Sequence, residues 1–172
     1  MVSSPAGKPV NILFVCHENF CRSPMAEGIF LDLLDRRGLL DCFAVGSAGV
    51  APFLRGVSPD ERAVDTLMAH GIDISGQRAS AFDDLSIAAL EWVFVMDEEN
   101  REALAIRELQ ENGVRLHMVM DFVDGREVPD PYYSGSEAFE RVAIDLFLAS
   151  ERILEVMFSH YPYLAQGANC SN

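Results

Sequence analysis

The sequence predicts an α/β protein of three layers, a parallel sheet with helices on both faces. Three observations predict it. Short apolar runs rich in β-formers occur at 11–15, within 41–47, at 91–96 and at 115–120. Between them lie stretches whose apolar residues recur at helical spacing. Strands that alternate with helices are joined by right-handed crossovers, which makes the sheet parallel and covers both of its faces. The chain has 172 residues, 49% of them hydrophobic, enough for one domain with a real core.

In chain order, residues 1–9 are a loose lead-in of Ser, Pro, Gly and Lys types. The first strand, 11–15, runs into a polar loop. A helix follows over about 23–37, with Ser23 as its cap and Pro24 at its first position. Met25, Ile29, Leu33 and Leu34 mark its buried side, and Gly38 its stop. After the second strand, 50–57 is a loop. Ser58-Pro59-Asp60-Glu61 reads as an N-terminal box for a helix ending near His70. Residues 72–81 are irregular, and 82–90 holds a short helix. The third strand, 91–96, precedes a helix capped by Asp97 and running to about Gln110. The fourth strand, 115–120, opens onto a long loop at 121–135, a length often tied to function. The longest helix covers about 136–160, and 161–172 forms a polar tail.

Composition narrows the function. Thirteen basic residues against 27 acidic ones give a net charge of −14, which argues against nucleic-acid or anionic-membrane binding through a general field. No apolar run approaches the ~20 residues of a membrane span. No secretory signal is visible at the start. Four cysteines at irregular spacing suggest neither a disulfide framework nor a zinc site, and the four histidines do not cluster. A reducing, cytoplasmic setting fits best. Any recognition of anions must then be local.

The segment 16–22, Cys-His-Glu-Asn-Phe-Cys-Arg, is where such recognition can occur. In open α/β sheets ligands sit beyond the carboxyl ends of strands. A short loop ahead of a helix turns backbone N–H groups inward, and the helix dipole adds positive potential. Arg22 contributes a planar fork suited to two phosphate oxygens. A cation there opposes the helix dipole, which makes sense if an anion binds. Cys16, at the strand end, lies on the floor of this cradle. Donors that hold a phosphate also favour a thiolate over a thiol, so one loop would activate a nucleophile and bind its target.

The run Val15 to Phe30, VCHENFCRSPMAEGIF, resembles the signature of the low-molecular-weight protein tyrosine phosphatases. A second match lies far downstream at Val128-Pro129-Asp130-Pro131-Tyr132-Tyr133, similar to that family's general-acid loop. Weaker matches fall at Gly46-Ser47-Ala48-Gly49, Ser58-Pro59-Asp60, His70-Gly71-Ile72 and Met96-Asp97. The resemblance implies strand order 2-1-3-4 and a single phosphatase domain across the chain. It implies hydrolysis of protein phosphotyrosine through a cysteinyl-phosphate. Cys16 is then the nucleophile, Arg22 the phosphate clamp and Asp130 the general acid and base. His17, Glu18, Asn19, Phe20 and Cys21 would complete the phosphate loop. Asn19, which tolerates left-handed backbone, holds its shape with Ser47, and Ser23 donates to the thiolate. Tyr132, Tyr133 and Phe53 wall a slot for a phenyl ring. Phe20 stands where the family often has Ile, and its bulk disfavours slim phosphoarginine-like substrates. Cys21 would pair reversibly with Cys16 under oxidation. No metal or organic cofactor is required. The expected partner is a phosphotyrosine protein such as a tyrosine kinase, and the chain is expected to be a monomer, with a weak dimer as the alternative.

Two departures from the family matter. Glu18 stands where Gly is usual. A carboxylate ~5 Å from the phosphate would cost roughly 3 kcal/mol per unit charge at an effective dielectric near 20, against about 0.5 at ~8 Å through water. Glu18 is therefore expected to point outward. Gln77 and Ser80 replace a usual His and Arg, so the support of Asn19 is expected to be rearranged. Two rival readings are an arsenate reductase on the same scaffold, which needs further relay cysteines, and a weakly catalytic phosphotyrosine-binding module.

Overall fold

The computed structural model describes residues 8–51, 53–105, 107 and 109–166. Four strands form one parallel sheet: β1 (Val10–Cys16), β2 (Phe43–Gly49), β3 (Trp92–Val95) and β4 (Arg115–Met118). Their order is β2-β1-β3-β4, as expected. Four α-helices connect or follow them: α1 (Arg22–Arg36), α2 (Glu61–Ala69), α3 (Glu98–Ala105) and α4 (Ser136–His160).

β1 shows why helices cover both faces. Ile12, Phe14 and Cys16 join one buried cluster with α1, α2 and α4. Leu13 and Val15 join a second cluster with Leu104 of α3. Alternate residues of a strand point to opposite faces, so an unbroken apolar run needs cover on each. Phe14 lies between Phe30 of α1 and Phe94 of β3, with ring centroids 5.7 Å from both. Cys16 pairs in register with Gly49, and Val15 with Val95. The carboxyl ends of three strands thus form one ledge.

Several local expectations shift. The cap of α1 is Cys21, without a side-chain cap bond. Ser23 is not the cap, because its hydroxyl is engaged inside the loop, and Pro24 is the third helical residue. Asp60, not Ser58, caps α2, its carboxylate accepting from Arg62 N–H at 2.9 Å. Asp97 does cap α3 through Asn100 N–H at 2.8 Å, but the helix ends at Ala105. Residues 82–84 and 87–89 form two 3₁₀ turns. The expected polar tail begins with structure: residues 162–166 form a 3₁₀ turn, and Tyr161 and Leu164 are buried. No described helix is long and apolar enough to cross a membrane.

Candidate active site

The loop between β1 and α1 is held by its carbonyls. Those of Cys16, His17, Phe20 and Cys21 accept from Val50, Ala51, Asp60 and Met25 N–H at 2.8–3.3 Å. Among the described residues no acceptor takes the N–H groups of 18–21, which leaves these donors for an anion. Asn19 is the one non-glycine with positive φ among the described residues, at 55°. Its buried amide donates to Ser23 Oγ at 2.8 Å and Ser47 Oγ at 2.9 Å. Its oxygen accepts from Ser80 N–H at 2.9 Å. Ser80 serves through its backbone N–H and through its hydroxyl, which donates to Ser47 O at 3.1 Å, while Gln77 donates to Pro24 O at 3.2 Å.

Cys16 is buried, with Sγ 3.0 Å from Ser23 Oγ. Ser23 Oγ accepts from Asn19, so its single proton is shared between the sulfur and Ala48 O, which lies farther off at 3.4 Å. Ser47 Oγ donates onward to Glu27 Oε2 at 2.5 Å. Burial pushes the Glu27 carboxyl pKa up, partly offset by that hydrogen bond. The Cys21 thiol is buried beside the loop. Burial raises its pKa most, with Asp60, Cys16 and Asp130 adding to the rise. Of the cysteines with no predicted role, Cys170 lies outside the described residues and Cys42 is disulfide-bonded. The irregular cysteine spacing did not suggest that bond.

Arg22 is 3% exposed and fixed from two sides. Its Nη1 donates to Asp97 Oδ2 at 2.5 Å and Val128 O at 2.9 Å, and Nη2 lies 3.5 Å from Asp130 Oδ2. Burial works against its charge, but Cys16, Asp97 and Asp130 outweigh it and raise its pKa. The sequence places Asp97 only as a helix cap. Its position at the carboxyl end of β3, on the same ledge as Cys16, was the available signal. Asp130 is half exposed, and Tyr132 N–H donates to its carboxylate at 3.1 Å.

A cavity of about 500 Å³ opens over Cys16 and Arg22. Phe20, Phe53, Tyr132 and Tyr133 line it. Phe20 meets Tyr132 edge-on at 6.1 Å, and Tyr132 meets Tyr133 at 4.9 Å. Phe53 is 83% exposed, so core packing does not explain it. Glu18, expected to point outward, has a side chain only about a quarter exposed. It lines the cavity, with Oε2 buried and unpartnered and Oε1 3.7 Å from His17 Nε2. Sequence reasoning also missed Arg62, whose guanidinium holds the loop that carries Asp130, and gave no role to Glu27.

A buried thiol and guanidinium at the foot of a helix, with a loop carboxylate beside them, make a site whose chemistry suits a phosphate ester. The comparisons narrow that chemistry. Residues 11–157 match the family model described as low molecular weight phosphotyrosine protein phosphatase. The low molecular weight protein-tyrosine-phosphatase YfkJ of Bacillus subtilis is 34% identical over 148 residues, covering 84% of this chain and 94% of the relative. A putative enzyme of the same description from Synechocystis is 38% identical over 141 residues, covering 80% and 88%. The crystal structure of an Entamoeba histolytica protein tyrosine phosphatase superposes with a TM-score of 0.81 at 27% identity, covering 88% of this chain and 97% of that one. The chain belongs to the low molecular weight phosphotyrosine protein phosphatase family.

Proposed function

We propose that this chain hydrolyses phosphotyrosine in proteins in two steps. Cys16 thiolate attacks phosphorus in line, and the P–O bond to the phenol breaks as Asp130 gives its proton to the leaving oxygen. The loop N–H groups and Arg22 stabilise the equatorial oxygens as charge develops on them. Water then attacks the cysteinyl-phosphate, giving its proton to Asp130, and Cys16 leaves as thiolate with release of inorganic phosphate. Ser23 holds the sulfur's charge in both steps. Asn19 and Ser47 keep the loop shape, and Asp97 is a positioning residue for Arg22. His17 to Cys21 contribute through their backbone.

The observation that supports this reading most is the convergence at one cavity. It joins a buried sulfur 3.0 Å from a hydroxyl and a buried guanidinium 3.5 Å from a loop carboxylate. The aromatic lining, with Phe20 edge-on to Tyr132, suits a flat phenyl ring better than a phosphoarginine-like chain. The expected site of action is the cytoplasm, on a phosphotyrosine protein such as a kinase.

Two variants test the assignments. Cys16→Ser abolishes turnover of p-nitrophenyl phosphate and of phosphotyrosine peptides. Retained turnover would refute the nucleophile. Asp130→Ala lowers kcat by roughly 10²–10⁴-fold for phosphotyrosine, less for p-nitrophenyl phosphate, whose leaving group needs little protonation. Equal losses on both substrates would remove Asp130 from the acid role.

A further inference from the structure

The cavity over Cys16 carries more negative charge than phosphate binding needs. Four carboxylates line it, those of Glu18, Asp97, Glu99 and Asp130, against the one guanidinium of Arg22. Asp97 and Asp130 already face that guanidinium. Glu18 and Glu99 face none. They flank His17, with Glu18 Oε1 3.7 Å from Nε2 and Glu99 Oε1 4.0 Å from Nδ1. Glu18 Oε2 is buried without a hydrogen-bond partner among the described residues. Next to Glu99 in the chain is Asn100, 1% exposed and also lining the cavity, with neither its side-chain oxygen nor its nitrogen partnered among the described residues. A fully buried amide with neither group paired is rare in a folded protein and points to a partner that arrives with a ligand.

These acceptors repel a phosphate ester unless the substrate also brings a cation. We propose that the Glu18, Glu99 and Asn100 side of the cavity is a specificity subsite. It accepts the Lys or Arg side chain of a residue next to the phosphotyrosine. The inference rests on the phosphotyrosine reading above and names the class of peptide it selects. The carboxylates of Glu18 and Glu99 supply charge to the incoming cation. The amide oxygen of Asn100, buried here, accepts one of its N–H groups after a side-chain shift that opens it to the cavity. His17 spaces the two carboxylates. The aromatic residues that touch one another around Tyr132 hold the phenyl ring, and the two acids that touch His17 read its neighbour.

Three phosphotyrosine peptides test this, identical except for Arg, Gln or Glu beside the phosphotyrosine. The wild-type protein is expected to turn over the Arg peptide with kcat/KM about 10-fold above the Glu peptide at low ionic strength, with the Gln peptide between and the spread shrinking as salt is added. In the double variant Glu18→Gln, Glu99→Gln the spread falls to within about 2-fold. Equal rates on the three peptides, a preference for Glu, or a preference for Arg that survives the double variant would each overturn the subsite. Affinities of the same peptides for Cys16→Ser, read by fluorescence anisotropy, give the charge order without turnover. Failure to hydrolyse any peptide would therefore sink the phosphatase reading, while a flat affinity order would sink this one.

Discussion

Glu27 lies one hydrogen bond behind the residues that shape the loop, and burial sets its behaviour. Its pKa is raised in the fold, chiefly by burial, above the ordinary 4.5. A carboxyl whose folded value is raised contributes stability in full below the unfolded value and loses it as pH rises through the folded one. Glu27→Gln removes the ionisation but keeps an acceptor for Ser47. The stability of this variant relative to wild type is therefore expected to improve progressively as urea unfolding is measured from pH 4.5 up to pH 8. A difference that stays constant over that range would mean the fold does not resist ionising Glu27. Gly49 is the second residue on which the site depends. A Cβ there would come within 2.7 Å of Glu18 C and 2.9 Å of Asn19 N, both backbone atoms. Gly49→Ala must displace the phosphate loop, and misplacement on that scale costs on the order of 10²-fold in kcat/KM. Unchanged kcat/KM in a folded Gly49→Ala variant would show that the loop tolerates the shift. Cys16 and Arg22 stand out in the sequence through the strand and helix start that flank them, and Asp130 only through the resemblance of its loop to the family. The shielding of Glu18 was not legible, since it depends on which surfaces close around the loop.

At the scale of elements, the start of α2 anchors the loop bearing Asp130. Arg62 Nε and Nη2 pair with the two oxygens of Asp60 at 2.9 and 2.7 Å. The same guanidinium donates to Ser134 O at 2.8 Å and Tyr132 O at 3.0 Å, and it lies 4.5 Å over the Phe139 ring. One side chain thus joins a helix cap, the acid loop and the first turn of α4. Arg62→Ala is expected to lower kcat by roughly 10-fold by loosening Asp130, while the inactivation of Cys16 by iodoacetate proceeds as in wild type. Arg62→Lys should not restore kcat, because an ammonium lacks the planar fork. Full kcat in Arg62→Ala would mean that the loop is fixed by its prolines and packing alone. The helices themselves were readable from periodicity, and α4 has the predicted span. Their caps were less readable. Ser58, Asp60, Cys21 and Ser23 are all residues that local rules admit near a helix start, and tertiary hydrogen bonds chose among them.

Across the whole molecule, the residue that follows α4 is clipped to the amino ends of the central strands, away from the active site. The Tyr161 hydroxyl accepts from Trp92 Nε1 at 3.0 Å and donates to Glu91 Oε2 at 3.0 Å, and Glu91 Oε1 accepts from Asn11 N–H at 3.2 Å. Burial, above all, pushes the Tyr161 pKa up to about 12. Tyr161→Phe leaves the Trp92 N–H buried and unpaired. It is expected to cost about 1–3 kcal/mol in urea unfolding with p-nitrophenyl phosphate turnover unchanged. A stability equal to wild type would place this clip outside the cooperative unit. The sequence by itself determined the layered α/β class, the strand order through its family resemblance, and the segment on which the chemistry falls. The class follows from apolar periodicity and the segment from residue types whose charge and geometry suit phosphate in any fold, while the strand order came with the resemblance alone. Only the tertiary structure decided which acids face the buried Arg22 guanidinium, how far Glu18 is shielded and where Arg62 reaches. Each of those depends on atoms far apart in the chain that meet only when strands β1, β2 and β3 align their carboxyl ends.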